Sequence, residues 1–178
     1  DESSEHLDIK QRWFLVFHRL CIVDQTSRGL QPFKRGRCVS ICNGEIYNFR
    51  NLIKKYNMTD LVSDCDSEVI IPLFNNSSCF SDFAGMVNQL DGVFAFVIVG
   101  RDLKGQEFAI VARDPFGVRS LYVGHGPENE VVFASEAKMI EPSYQVKPIL
   151  PGTVSLWKPG ADDNWEQVEY IRYYQYSY

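Results

Sequence analysis

The sequence predicts an α+β fold, two stacked and mostly antiparallel sheets with helices outside them. Three observations carry that prediction: short apolar β-branched runs open and close the chain, three- and four-residue apolar spacing occupies its middle, and glycine-bearing turns separate the later runs. Residues 13–17 form the first apolar, aromatic run and read as a buried strand ending at His18-Arg19. A loop with Gly and Pro over residues 29–36 leads to a second strand at 38–42, which the Asn43-Gly44 turn signal stops. Residues 49–56 have helical spacing with Lys54 and Lys55 outward. A further helix over 66–74 takes Asp66 or Ser67 as its N-cap and is limited or kinked by Pro72. Phe80, Phe83, Val87 and Leu90 give a helix over 80–90 one apolar face, which ends at the Asp91-Gly92 turn.

From there the period shortens. Strands at 93–99, 108–112, 120–123 and 131–134, separated by turns at Gly105, Gly117 and Gly126, read as an antiparallel meander, with His125 in the last of those turns. Strands at 153–157 and 168–173 flank a loop at 158–164, and Tyr170, Tyr173, Tyr174, Tyr176 and Tyr178 make an aromatic edge. No linker or repeat interrupts this order, so residues 1–178 are expected to form one domain.

Composition excludes several classes. With 45% hydrophobic residues the chain can build a sizeable core and is not disordered. A formal charge of -5 without Lys/Arg clusters argues against nucleic acid. The apolar runs are too short to cross a bilayer and no leader pattern opens the chain, so no membrane partner is expected. The cysteines at 21, 38, 42, 65 and 79 are odd in number and form no Cys-x-x-Cys pair, which suits buried thiols in a reducing, cytoplasmic setting. Cys38 and Cys42 share one face of a strand, but with no histidine beside them no metal site is expected. The tripeptides Asn57-Met58-Thr59 and Asn75-Asn76-Ser77 fit a glycosylation pattern that matters only in a secreted protein.

Several strings are more specific. His18-Arg19-Leu20-Cys21-Ile22-Val23-Asp24, Gln31-Pro32, Asn43-Gly44-Glu45-Ile46-Tyr47-Asn48, Asp66-Ser67-Glu68-Val69-Ile70, Asp91-Gly92-Val93-Phe94-Ala95-Phe96, Arg113-Asp114-Pro115-Phe116-Gly117-Val118-Arg119, Phe133-Ala134-Ser135-Glu136-Ala137-Lys138 and Leu150-Pro151-Gly152 follow in order. Together they resemble the glutaminase domain of asparagine synthetases, a class II amidotransferase domain. The resemblance implies a four-layer αββα sandwich of the N-terminal-nucleophile hydrolase type. It also implies that an N-terminal cysteine attacks the side-chain amide of glutamine through a thioester, releasing glutamate and ammonia. The ammonia would pass to a C-terminal synthetase domain, absent from this chain, that uses ATP and Mg²⁺ on aspartate; the glutaminase domain itself would need no cofactor.

Chemistry explains the residue types. A tetrahedral oxyanion needs fixed N–H donors, a role for the Asn43 amide and the Gly44 backbone. The substrate's α-carboxylate suits the planar fork of Arg19, and its α-ammonium suits Asp66 and Glu45. The resemblance adds the backbone of Leu20, Cys21, Ile22 and Val23 by position. His18 belongs to the strand signature and is expected to pack or hydrogen-bond there. Asp66 is preferred to Asp64 for its distance to Glu68 and Val69, although Cys65-Asp66-Ser67-Glu68 exchanges two residue types relative to the family. The family's N-terminal cysteine does not occur in this chain, and Asp1 falls where an Arg-Gly-Pro-Asp segment would end. The expectation is therefore that this is a trimmed part of a full synthetase, with the first strand and helix missing, and that the polypeptide as written does not hydrolyse glutamine alone; the alternative is a natural split in which another chain or segment supplies the strand. The competing expectation is a catalytically dead glutaminase-like domain with a structural or regulatory role in a larger assembly. Other class II amidotransferases, with different acceptors, share the fold and chemistry.

Overall fold

The computed structural model describes residues 7–8, 13–17 and 27–175. Its centre is an antiparallel six-stranded sheet built from β3 (Phe33–Arg35), β4 (Cys38–Ile46), β5 (Gly92–Arg101), β6 (Glu107–Arg113), β10 (Thr153–Pro159) and β11 (Trp165–Arg172), in the order β11-β10-β6-β5-β4-β3. Both faces of this sheet are covered, which is why β5 reads as an unbroken apolar run rather than an alternating one. Phe94, Phe96 and Ile98 point to one side, and Ala95, Val97 and Val99 to the other. Each buried Phe, Ile or Val among them contributes about 1.5–3 kcal/mol.

The first side carries the helices α1 (Phe49–Lys55), α2 (Ile70–Asn76) and α3 (Phe80–Val87), whose Leu52, Ile70, Leu73, Phe83 and Val87 interlock with the sheet. A 3₁₀ turn over Asp66–Val69 precedes α2, and Pro72 falls in the first turn of that helix, where a missing N–H leaves no bond unmade. The expected kink is therefore not needed. Nor does Asp66 or Ser67 cap: Cys65 holds the N-cap position of the 3₁₀ turn without a side-chain cap bond, and the Asp66 carboxylate is turned to β4.

The second side carries a three-stranded sheet of β7 (Tyr122–His125), β8 (Val131–Ala134) and β9 (Gln145–Pro148) in the order β8-β7-β9, together with the hairpin β1 (Leu7–Asp8) and β2 (Phe14–Leu15). Leu15, Leu121, Val123 and Ile149 close a second core against Val39, Val97 and Val111. An aromatic group sits at one end of it: Trp13 meets Trp165 edge-on with centroids 4.7 Å apart, and Trp157 lies 5.5 Å from Phe133 and 5.7 Å from His125.

The mixed architecture with antiparallel sheets agrees with expectation, and four details differ. The strands at 92–134 are not one meander, because β5 and β6 pair in the large sheet while β7 crosses to the small one. Strand β4 runs through Asn43-Gly44 to Ile46 instead of stopping there. His125 ends β7 rather than sitting in a turn. Strand β3 forms within the segment expected as loop. Among the described residues all three α-helices lie on one face of the large sheet, giving helix, sheet and sheet; the fourth layer of the expected sandwich does not occur among them.

Candidate active site

The last half of β4 gathers the expected residues, and strand periodicity decides where their groups point. Backbone N–H groups alternate between the two sides of a strand. The N–H of Tyr47 donates across to the carbonyl of Asp91 at 2.7 Å, so the odd positions face β5. The even positions face the other edge. There the N–H of Cys42 donates to Oε1 of Gln31 (2.6 Å), whose Nε2 donates back to the Cys42 carbonyl (3.0 Å), and the N–H of Ile46 donates to Oδ2 of Asp66 (2.5 Å).

Gly44 lies between them on the same edge. Its partner Phe94 in β5 turns its own carbonyl to the N–H of Asp114, just past β6 (2.7 Å), which leaves the Gly44 N–H facing away from β5. No described side chain takes that N–H. Gly44 has φ +141°, a conformation reserved for glycine, and a Cβ there would stand 2.0 Å from the Val93 carbonyl oxygen. Asn43-Gly44 is therefore a feature of a close strand pair, not a turn. Asn43 is exposed on the face that carries Val39 and Ile41, the face turned to the second sheet layer, and its amide has no described partner. Glu45 is half-buried next along the strand.

Asp66 is 6% exposed and is brought to β4 by a local framework. Buried Glu68 accepts the N–H groups of Val62 and Ser63, each at 2.9 Å, and the Ser63 hydroxyl at 2.6 Å. Arg35 of β3 reaches the same carboxylate at 3.4 Å and also pairs with Asp60. The loop before the 3₁₀ turn is thus tied down, and Asp66 points inward. The structure brings together Asn43, Gly44, Glu45 and Asp66. Arg19, Leu20, Cys21, Ile22 and Val23, together with His18, lie outside the described residues. Cys42 is fully enclosed; burial and then the Asp66 carboxylate push its thiol well above the ordinary range, so it is a neutral filler and no nucleophile.

Motif reading missed the roles of four residues. Gln31 was noted only as part of a string. Gly92, taken as a turn residue, faces β4 so closely that a Cβ would stand 2.1 Å from the Glu45 carbonyl oxygen. Arg113 and Asp114 lock the following loop: the guanidinium donates to the carbonyls of Gly117, Arg119 and Ile149 at 2.6–2.7 Å, and the Asp114 carboxylate accepts the N–H groups of Phe116, Val118 and Arg119 at 3.0 Å. Cross-strand register sets Asn43 beside Ala95, and Ala95 beside Arg113, so this loop leaves the sheet at the same end as the candidate residues. A separate cavity of about 550 Å³, lined by Val123, His125, Ser155, Trp157, Trp165 and Tyr170 among others, includes none of them. Among the described residues no group of three or more His, Cys, Asp or Glu side chains could hold a metal. Among the described residues no helix is long and apolar enough to cross a membrane.

A family model described as a glutamine amidotransferase domain matches residues 2–152. This chain belongs to that family. As a glutamine amidotransferase domain it is 44% identical over 149 residues to a probable glutamine-hydrolyzing asparagine synthetase of Acanthamoeba polyphaga mimivirus, covering 80% of this chain and 26% of that protein. It is 33% identical over 162 residues to the nodule asparagine synthetase of Pisum sativum (90% and 25% covered) and 32% identical over 171 residues to the asparagine synthetase of Gallus gallus (90% and 29%). The chain spans about a quarter of the length of these relatives. A solved class-II glutamine aminotransferase domain protein from Silicibacter pomeroyi shares the fold with a TM-score of 0.50 at 18% identity, covering 80% of this chain and 72% of that one.

Proposed function

We propose that this amidotransferase domain is the glutamine-hydrolysing part of an asparagine synthetase, releasing ammonia from glutamine for ATP-dependent amidation of aspartate elsewhere in the parent enzyme. One observation carries the reading: the buried Asp66 carboxylate is joined to the open edge of β4 beside Gly44, in a chain whose family acts on glutamine amides. In this reading the Gly44 N–H and the Asn43 amide hold the oxyanion of the tetrahedral intermediate. Such donors lower the barrier because they are already aimed when charge develops on oxygen, a gain of about 3–4 kcal/mol for one donor. Oδ1 of Asp66, which also accepts the Cys65 thiol at 3.8 Å while Oδ2 is engaged with Ile46, and Glu45 face the α-ammonium. Arg19 forks onto the α-carboxylate, and the backbone of Leu20, Cys21, Ile22 and Val23 lines the wall. The nucleophile is the thiol of an N-terminal cysteine in the first strand of a four-layer αββα sandwich.

The same proposal sets residues 1–178 as one domain that needs no cofactor of its own and works in the cytoplasm, where its free Cys38, Cys42, Cys65 and Cys79 stay reduced. ATP and Mg²⁺ belong to the synthetase domain, its partner. The test is glutamate release from glutamine by the complete gene product, measured beside asparagine formation from added ammonia. Both activities are expected. Ammonia-dependent synthesis with no glutamate release at saturating glutamine would overturn the glutaminase assignment.

A further inference from the structure

We infer that Gln31 is a positioning residue for glutamine hydrolysis: its side-chain amide ends the sheet one step short of Gly44 and so keeps the Gly44 N–H open and aimed. This rests on the proposed function and adds to it a residue with no substrate contact of its own. Strand β3 pairs with β4 in the register Phe33 opposite Ser40 and Arg35 opposite Cys38. Continued in the same register, the chain would set residue 31 opposite Cys42 and Gly29 opposite Gly44, and the ladder would consume the Gly44 N–H. It does not continue. The chain turns into a 3₁₀ turn over Ser27–Gly29, and the buried Gln31 substitutes its side chain for the missing backbone, donating to the Cys42 carbonyl at 3.0 Å and accepting the Cys42 N–H at 2.6 Å.

Two residues further along β4, the Asp66 carboxylate takes the N–H of Ile46. The edge is thus sealed on either side of Gly44 by two buried side chains, and among the described residues one N–H is left between them. A side-chain seal does what a strand cannot, because it satisfies a single residue's backbone and then ends. It also steadies direction: with Cys42 and Ile46 both held, the strand is anchored by buried bonds immediately before and after Gly44.

The test is steady-state glutamate release by the complete gene product carrying Gln31→Met, which keeps size but makes neither bond. The control is Tyr173→Phe, which removes a similar bond, 2.6 Å from the Tyr173 hydroxyl to the Arg113 carbonyl, on the far side of β5 from this edge. Gln31→Met is expected to lower kcat by about 10- to 100-fold, less than outright loss of an oxyanion donor. KM for glutamine and binding of the product glutamate should stay within about twofold. Gln31→Asn, which keeps the amide but withdraws it by one methylene, should show the same split at smaller size and serves if the methionine variant does not fold. A kcat within about twofold of the parent, or losses in kcat, KM and glutamate binding that move together as in Tyr173→Phe, would overturn the inference alone. A parent protein that forms asparagine from ammonia but releases no glutamate would instead overturn the proposed function.

Discussion

Gly44 and Gly92 stand diagonally across the β4–β5 pair, and the space each side chain would need is filled by a carbonyl of the opposite strand: Val93 for Gly44 and Glu45 for Gly92. Gly44 also has a positive φ. Gly44→Ala is therefore expected to destabilise the fold by about 3 kcal/mol or more, from overpacking together with a strained backbone. Gly36→Ala, at φ +60° with nothing within 4 Å of the new Cβ, should cost only about 1–2 kcal/mol. Urea unfolding of the two variants separates the contributions; equal losses would show that backbone conformation alone sets the cost at Gly44.

Asp66 serves two purposes that substitutions can divide. Asp66→Asn keeps an oxygen for the Ile46 N–H but removes the charge proposed to face the substrate ammonium. It should leave the melting temperature within a few degrees while raising KM for glutamine about tenfold or more. Asp66→Ala strands a buried N–H and should in addition cost about 1–3 kcal/mol in stability. An unchanged KM in Asp66→Asn would remove Asp66 from the substrate site.

The Arg113 guanidinium holds three carbonyls with a planar fork that an ammonium cannot reproduce. Arg113→Lys should therefore destabilise by about 1–3 kcal/mol despite conserving charge. Thermal unfolding checks it, and a loss below about 0.5 kcal/mol would mean that water replaces the lost bonds.

Alkaline pH should weaken the fold through Cys38, whose thiol is pushed from 9.0 to about 11 by burial. The folded state holds the proton more tightly than the unfolded chain, so this contribution is complete below about pH 9 and is lost as pH rises through 11, amounting to roughly 2–3 kcal/mol. Cys42 is shifted in the same direction. Cys38→Ala should flatten the fall in melting temperature between pH 9 and 11, and iodoacetamide at pH 8 should label exposed Cys79 before Cys38 or Cys42.

The fold was legible where burial leaves a simple pattern. The run at β5 is apolar throughout because both its faces are covered, and Phe83 and Val87 of α3 keep helical spacing against one core. Strand β9 escaped because Gln145, Val146, Lys147 and Pro148 are all exposed and form no alternation, and β3 because Lys34 and Arg35 interrupt so short a segment. Asn43-Gly44 misled because the local signal for a hairpin turn is also what a tight strand pair requires. The site residues Asn43, Gly44, Glu45 and Asp66 could be named from their strings, but the roles of Gln31 and Gly92 depend on pairings across the sheet that no local window contains.

The aromatic group at one end of the second core has a practical consequence. The chain has three tryptophans, and Trp13, Trp157 and Trp165 all lie on the sheet-to-sheet side, with none among the helices. Their emission is therefore a reporter of that side alone, whereas far-ultraviolet dichroism at 222 nm weights α1, α2 and α3 on the other. Two ordinary spectroscopic signals thus watch opposite halves of one sheet, and their unfolding curves will coincide only if the six strands bind both halves into a single cooperative unit.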